Sequence, residues 1–169
     1  MTTIVSLRLE SGQSETHNMH IVLAEDGVKA KADTIVHVAL EEFGIMISVS
    51  IDADIELVCS RCVETYTKNL KLEHSIILSQ SEKGWEMDDD TLAMGVVNLA
   101  ENNIDIKELV RQLLVESQDM RPLCSEECKG LCPVCGINLN NGSCNCDDKF
   151  QDPRWSKLRN ISFTSKGEV

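Results

Sequence analysis

The sequence predicts an α+β fold: a mainly antiparallel β-sheet, one packed amphipathic helix, and a C-terminal cysteine-rich module. Three observations predict it. Seven consecutive odd positions are apolar, Ile45, Ile47, Val49, Ile51, Ala53, Ile55 and Leu57. One stripe of apolar residues at helical spacing runs from Ile106 to Leu114. Six of eight cysteines crowd into residues 124–146, a stretch poor in apolar side chains.

The strands come first. Val5, Leu7 and Leu9 alternate with polar neighbours, as do Val36, Val38 and Leu40. In the long run from Ile45, the even positions include Ser48, Ser50, Asp52, Asp54 and Glu56. A period of two over that length marks a half-buried antiparallel strand. Leu70, Leu72, Ile76 and Leu78 continue the pattern, with His74 on the same face as a core-edge residue. Strands at about 45–57 and 66–79 therefore form a hairpin, with Cys59-Ser60-Arg61-Cys62 at its tip. Residues 81–90, SEKGWEMDDD, read as a solvated acidic loop that includes Trp85. Residues 95–104 offer one more short strand.

A helix starts at Asp105. Asp105 is its N-cap, and Glu108 three residues on completes the pattern of a capping box. Ile106, Leu109, Val110, Leu113 and Leu114 make the stripe that lies on the sheet. The helix ends before Pro122. A short closing helix is expected from Asp152, with Pro153 at its first position. Two domains follow: 1–120, sheet plus helix, and 121–169, the cysteine-rich module with the closing helix. No repeat of domain size is visible.

The net charge is −12 and unevenly spread: residues 1–120 hold 9 Lys/Arg against 22 Asp/Glu, residues 121–169 hold 7 against 6. Binding to nucleic acid draws on several Lys/Arg–phosphate contacts. The acidic body cannot supply them broadly, so a basic protein is the more natural partner. The bland reading is that the charge aids solubility. A small basic-aromatic patch remains in the tail, from Arg121, Lys129, Lys149, Arg154, Lys157 and Arg159 with Trp155. No apolar run is long enough for a membrane span. The opening MTTIVSLRLE does not read as a secretory signal. A reducing, cytoplasmic setting is expected, where disulfides do not persist.

The cysteines are Cys59, Cys62, Cys124, Cys128, Cys132, Cys135, Cys144 and Cys146. Two residues between thiolates let both reach one tetrahedral ion. Cys132-Pro133-Val134-Cys135-Gly136 has that spacing, and Gly136 relieves crowding where amides turn toward the sulfurs. Cys59–Cys62 has the same spacing without the glycine. Cys124–Cys128 and the CxC of Cys144 and Cys146 complete two sets of four. Two structural zinc ions are expected, with no open coordination position and hence no catalysis by the metal. A thioredoxin-like pair would want a CxxC at a helix start. Cys128, Cys132 and Cys135 have the CxxxCxxC spacing of radical SAM enzymes, but not the large barrel that follows it there. No GxSxG, Walker loop, GxGxxG or HExxH appears, and Asp88, Asp89 and Asp90 are explained by a solvated loop. No enzyme activity and no small-molecule substrate are expected.

The strings VCSRCVETY, NIDIKELVRQLLVESQDMRPLC, CKGLCPVCGINLNNGSCNCDD and DPRWSKL, in that order, resemble the YceD family, named for large ribosomal RNA subunit accumulation. The resemblance covers about residues 45–160. It departs after Arg61, where Cys62-Val63-Glu64-Thr65-Tyr66 stands in place of CLEPF-like residues. It implies a non-enzymatic role in ribosome biogenesis and rRNA accumulation through a basic ribosomal or ribosome-assembly protein or ribonucleoprotein. The alternatives are an RNA-binding zinc module using the tail's basic residues, with weak binding expected, and an enzyme using the acidic loop. The resemblance also suggests a ligand division, Cys59, Cys62, Cys124 and Cys128 against Cys132, Cys135, Cys144 and Cys146. The compact loop between Cys135 and Cys144 favours it too. A rival division, with Cys124, Cys128, Cys132 and Cys135 on one ion, satisfies the same count.

Overall fold

The computed structural model of the chain describes residues 3–8, 12–25, 27–42, 44–81, 84–86, 95–98 and 100–146. The chain divides into two compact units, Met1–Ser60 with Glu64–Cys124, and Arg61–Val63 with Ser125–Val169.

The first unit is built on antiparallel sheets. One has five strands: β2 (Ser14–Leu23), β3 (Lys29–Glu41), β4 (Gly44–Val58), β5 (Thr65–Ser81) and β6 (Gly84–Glu86), in that order. The other has three, β1 (Ile4–Ser6), β8 (Asn103–Asp105) and β7 (Val97–Asn98), with β8 in the middle. All seven apolar odd positions of β4 are buried. The register explains their company. Val38 pairs with Ile47 and Val36 with Val49 on one side, Ile76 with Ile47 and Leu78 with Ile45 on the other. Even residues of β3 and β5 thus share the face of the odd residues of β4. Each fully buried Ile or Val contributes about 1.5–3 kcal/mol. His74 pairs with Val49 and is half-buried, as a core-edge residue should be.

Parity also forces one polar group inside. Thr34 faces Ile51 and is 2% exposed, and its Oγ1 has no hydrogen-bond partner among the described residues. The tight β3–β4 connection depends on Gly44. A Cβ there would overlap the carbonyl oxygen of Leu78 on the neighbouring strand.

The helix, α1 (Ile106–Glu116), buries Ile106, Leu109, Val110, Leu113 and Leu114, the five residues of the stripe. They join Val5, Ile104 and the β4 residues in one core. Asp105 caps it, accepting from the amides of Lys107 at 3.0 Å and Glu108 at 3.2 Å. The expected capping box does not form. The Asp105 amide already donates to Val96 O at 2.9 Å, because Asp105 also ends β8. Glu108 instead accepts from Arg111 Nε at 2.8 Å and Gln112 Nε2 at 2.7 Å. These hold its carboxyl at about 2, below the ordinary 4.5.

Two further readings change. Part of the expected acidic loop is strand: Gly84–Glu86 folds back on Ser79–Ser81 as β6. Residues 95–104 give two strands, β7 and the start of β8, rather than one. Asp88, Asp89 and Asp90 lie outside the described residues, as do the expected closing helix and residues 147–169.

Among its described residues the second unit has little regular structure. An isolated antiparallel bridge joins Leu131 to Asn138. Cys132 N donates to Ile137 O at 2.8 Å, Gly136 N to Cys132 O at 2.9 Å, and Leu139 N to Gly130 O at 2.9 Å. A hairpin with so small a core needs a staple.

Candidate metal centres

The eight cysteines fall into two groups of four. The sulfurs of Cys59, Cys62, Cys124 and Cys128 all lie within 4.8 Å of one another, and so do those of Cys132, Cys135, Cys144 and Cys146. No disulfide joins any of them. Zinc holds thiolates at about 2.3 Å, which sets neighbouring sulfurs of a tetrahedron roughly 3.8 Å apart. Four thiols already gathered to that scale, in both groups, fit a tetrahedral metal ion after small side-chain adjustments. Either tetrad could hold one.

The first group starts at the β4–β5 connection. β4 ends at Val58 and β5 begins at Thr65, and Cys59 N closes the tip onto Glu64 O at 2.9 Å. Val63, directly after Cys62, has φ of 61°, a left-handed conformation that β-branched residues rarely adopt. Ser60 N donates to Pro122 O at 2.8 Å, two residues before Cys124. Arg61 organises the chain around Cys128. Its Nη1 donates to Glu126 O and Cys128 O, each at 3.0 Å, and its carbonyl accepts from Leu131 N at 3.2 Å. Cys59, Cys62 and Cys128 are buried and Cys124 is exposed.

The second group is more open: Cys132 is buried, Cys144 and Cys146 are half-buried, and Cys135 is exposed. The backbone amides of Cys135 and Val134 turn toward Cys132 Sγ, the latter at 3.5 Å, and bring that thiol down to about 6. Cys146 moves the other way, pushed up to about 12 by the sulfur of Cys135, by burial and by Cys144. At Cys144 the amide of Cys146 favours the thiolate, but sharing with Cys132 and burial outweigh it and raise the thiol. The cause is physical: thiols this close cannot all ionise without a cation among them. A bound dication reverses that balance.

The grouping with Cys124, Cys128, Cys132 and Cys135 together is not the one found. Of the basic residues considered as contacts, Arg121 and Lys129 are exposed, while Lys149, Arg154, Trp155, Lys157 and Arg159 lie outside the described residues. Sequence reasoning missed two supporting side chains. Arg61 stands between the cysteines of CSRC, where the spacing alone assigns it no role. Asn140, in the loop between Cys135 and Cys144, carries no motif of its own, yet its Nδ2 donates to Cys128 Sγ at 3.3 Å. Among the described residues, no helix is long and apolar enough to cross a membrane.

Comparison with known proteins adds a family. The model described as large ribosomal RNA subunit accumulation protein YceD matches residues 47–162, a span that contains all eight cysteines. A chloroplastic protein of Arabidopsis thaliana, named as a homolog of YCED in large ribosomal RNA subunit accumulation, is 34% identical over 58 residues, covering 34% of this chain and 18% of its own length. Uncharacterized proteins of Mycobacterium bovis and Mycobacterium tuberculosis are 23% identical over 129 residues, covering 74% of this chain and 61% of theirs. The chain thus spans less than two thirds of the curated relatives it matches. No solved structure matches. The family's description names an accumulation factor and no reaction. With well over half of its length matched, and both cysteine tetrads inside the match, the chain belongs to the YceD family of large ribosomal RNA subunit accumulation proteins.

Proposed function

We propose that this chain is a non-catalytic, zinc-stapled cytoplasmic factor that supports accumulation of large-subunit ribosomal RNA. It acts through a basic ribosomal or ribosome-assembly protein, alone or within a ribonucleoprotein. The observation that carries the reading is the placement of two four-cysteine clusters inside the family-matched span. All-thiolate tetrahedral sites suit zinc or iron–sulfur chemistry. Zinc is favoured because each tetrad supplies a closed set of four ligands at structural-site spacing, with amides and a side-chain amide serving the sulfurs. A closed site offers no position for substrate, which supports a structural role.

Charge supports the kind of partner. The chain carries −12 before metal binding, and each zinc with four thiolates brings a further −2. Such a surface attracts basic proteins and repels bare phosphate backbones.

The test has two arms. Cells deprived of the chain should show a lower ratio of large- to small-subunit ribosomal RNA, restored by the wild type and not by a Cys59→Ser, Cys62→Ser variant. Crosslinked capture of the metal-bound protein should enrich basic ribosomal proteins. An unchanged RNA ratio on depletion would sink the proposal.

A further inference from the structure

Asn140 belongs by sequence to the second tetrad, in the loop between Cys135 and Cys144. Its side chain serves the first. Nδ2 donates to Cys128 Sγ at 3.3 Å and to Asn138 Oδ1 at 2.8 Å, and Oδ1 accepts from Lys129 N at 2.8 Å. The three contacts leave the amide a single orientation, with its N–H aimed at the sulfur. What holds Asn140 there is the second tetrad's own loop. Asn138 Oδ1 also accepts from Asn140 N at 2.9 Å, and Asn138 is bridged to Leu131. The Cys132–Ile137 and Gly136–Cys132 hydrogen bonds close the same hairpin at 2.8 and 2.9 Å.

We propose that Asn140 is a positioning residue for the first metal site and couples the two sites, so that metal in the second strengthens binding at the first. The inference rests on the reading that both tetrads hold metal. Filling the second site fixes the loop and seats the Asn140 amide on Cys128. An N–H donated to a thiolate takes up part of its charge and orients it toward the ion. With the second site empty, the loop must be ordered by the first site alone, at the expense of its binding free energy. Coupling of this kind is reciprocal, so the first site also strengthens the second.

The experiment uses the full chain, zinc alone and a competing chelator. Differential alkylation, read cysteine by cysteine by mass spectrometry, reports which tetrad gives up its ion. Asn140→Asp keeps the acceptor for Lys129 N and loses the donor to Cys128. Asn140→Ala removes both without adding charge. Each should weaken zinc binding at Cys59, Cys62, Cys124 and Cys128 by about 10–100-fold. Cys144→Ser should weaken the same tetrad, and it should do so by a smaller factor once Asn140 is already Ala. Unchanged protection of the first tetrad in both Asn140 variants overturns the proposal. So does full additivity of Cys144→Ser with Asn140→Ala. If Cys144→Ser fails to fold, the Asn140 variants alone decide. A wild type that takes up no zinc defeats the underlying reading instead, which keeps the two failures apart.

Discussion

Val63 and Gly136 share a positive φ at the same place in two cysteine motifs. Each directly follows the second cysteine of a CxxC, with φ of 61° at Val63 and 73° at Gly136. Glycine adopts that conformation freely, whereas an L residue loses roughly 1–2 kcal/mol. Val63 is 65% exposed, so its side chain contributes little burial in return. The first motif is therefore strained where the second is relaxed. Surrounding hydrogen bonds, such as Cys59 N to Glu64 O at 2.9 Å, help to hold it.

Val63→Gly should accordingly stabilise the protein by about 0.5–1 kcal/mol, the relief of strain less the greater unfolded-chain freedom of glycine. Urea unfolding of the metal-bound protein measures it. A loss of more than about 1 kcal/mol would show that the valine makes a contact of its own.

Two zinc ions per chain are expected after purification without chelator, read by elemental analysis. Cys132→Ser should lose one ion and loosen the 130–139 hairpin. Cys59→Ser should lose the other and lower the stability of the β4–β5 hairpin. A metal-free chain with its eight sulfurs paired as disulfides would contradict this, as would a Cys59→Ser variant that lost the ion held by Cys144.

Helix α1 should respond to acid through Glu108. Its carboxyl sits at about 2 rather than 4.5 because Arg111 and Gln112 bind the charged form. The stabilisation is present in full above pH 4.5 and is lost as pH falls from there to about 2. With 38% of the side chain open to solvent, the effect is modest. The stability difference between wild type and Glu108→Gln should shrink across that window. A difference that stays flat with pH would remove Glu108 as the cause.

Gly44→Ala should destabilise the five-stranded sheet by about 1–3 kcal/mol, since the added methyl meets the Leu78 carbonyl rather than a yielding side chain. Thermal unfolding checks it. Wild-type stability in the variant would mean that β4 and β5 can part locally without loss.

Bare ribosomal RNA should bind poorly at physiological salt, since −12 of net charge opposes the phosphates. A salt titration of RNA binding decides. Submicromolar, steeply salt-dependent affinity would promote the reading in which Arg121, Lys129 and the tail's basic residues contact RNA directly.

Some of this was determined by the sequence alone, because the signals are local. Period-two alternation named the buried residues of β4, since a strand presents alternate side chains to one face whatever it pairs with. The stripe from Ile106 to Leu114 named the buried face of α1, and Asp105 its cap, for the same reason. The CxxC spacings marked places where two sulfurs could reach one metal ion, because two intervening residues suffice for that. Tertiary structure decided what depends on distant partners. Register placed Thr34 in the core, and the competing bond to Val96 removed the capping box. β2 offers little alternation of its own and becomes a strand by pairing Ser14–Leu23 with Ala30–Ala39. The gathering of Cys59 and Cys62 with Cys124 and Cys128 spans some sixty residues of chain that no local spacing can encode. The same holds for Asn140, whose role exists only because a folded loop carries its amide to a sulfur twelve residues away.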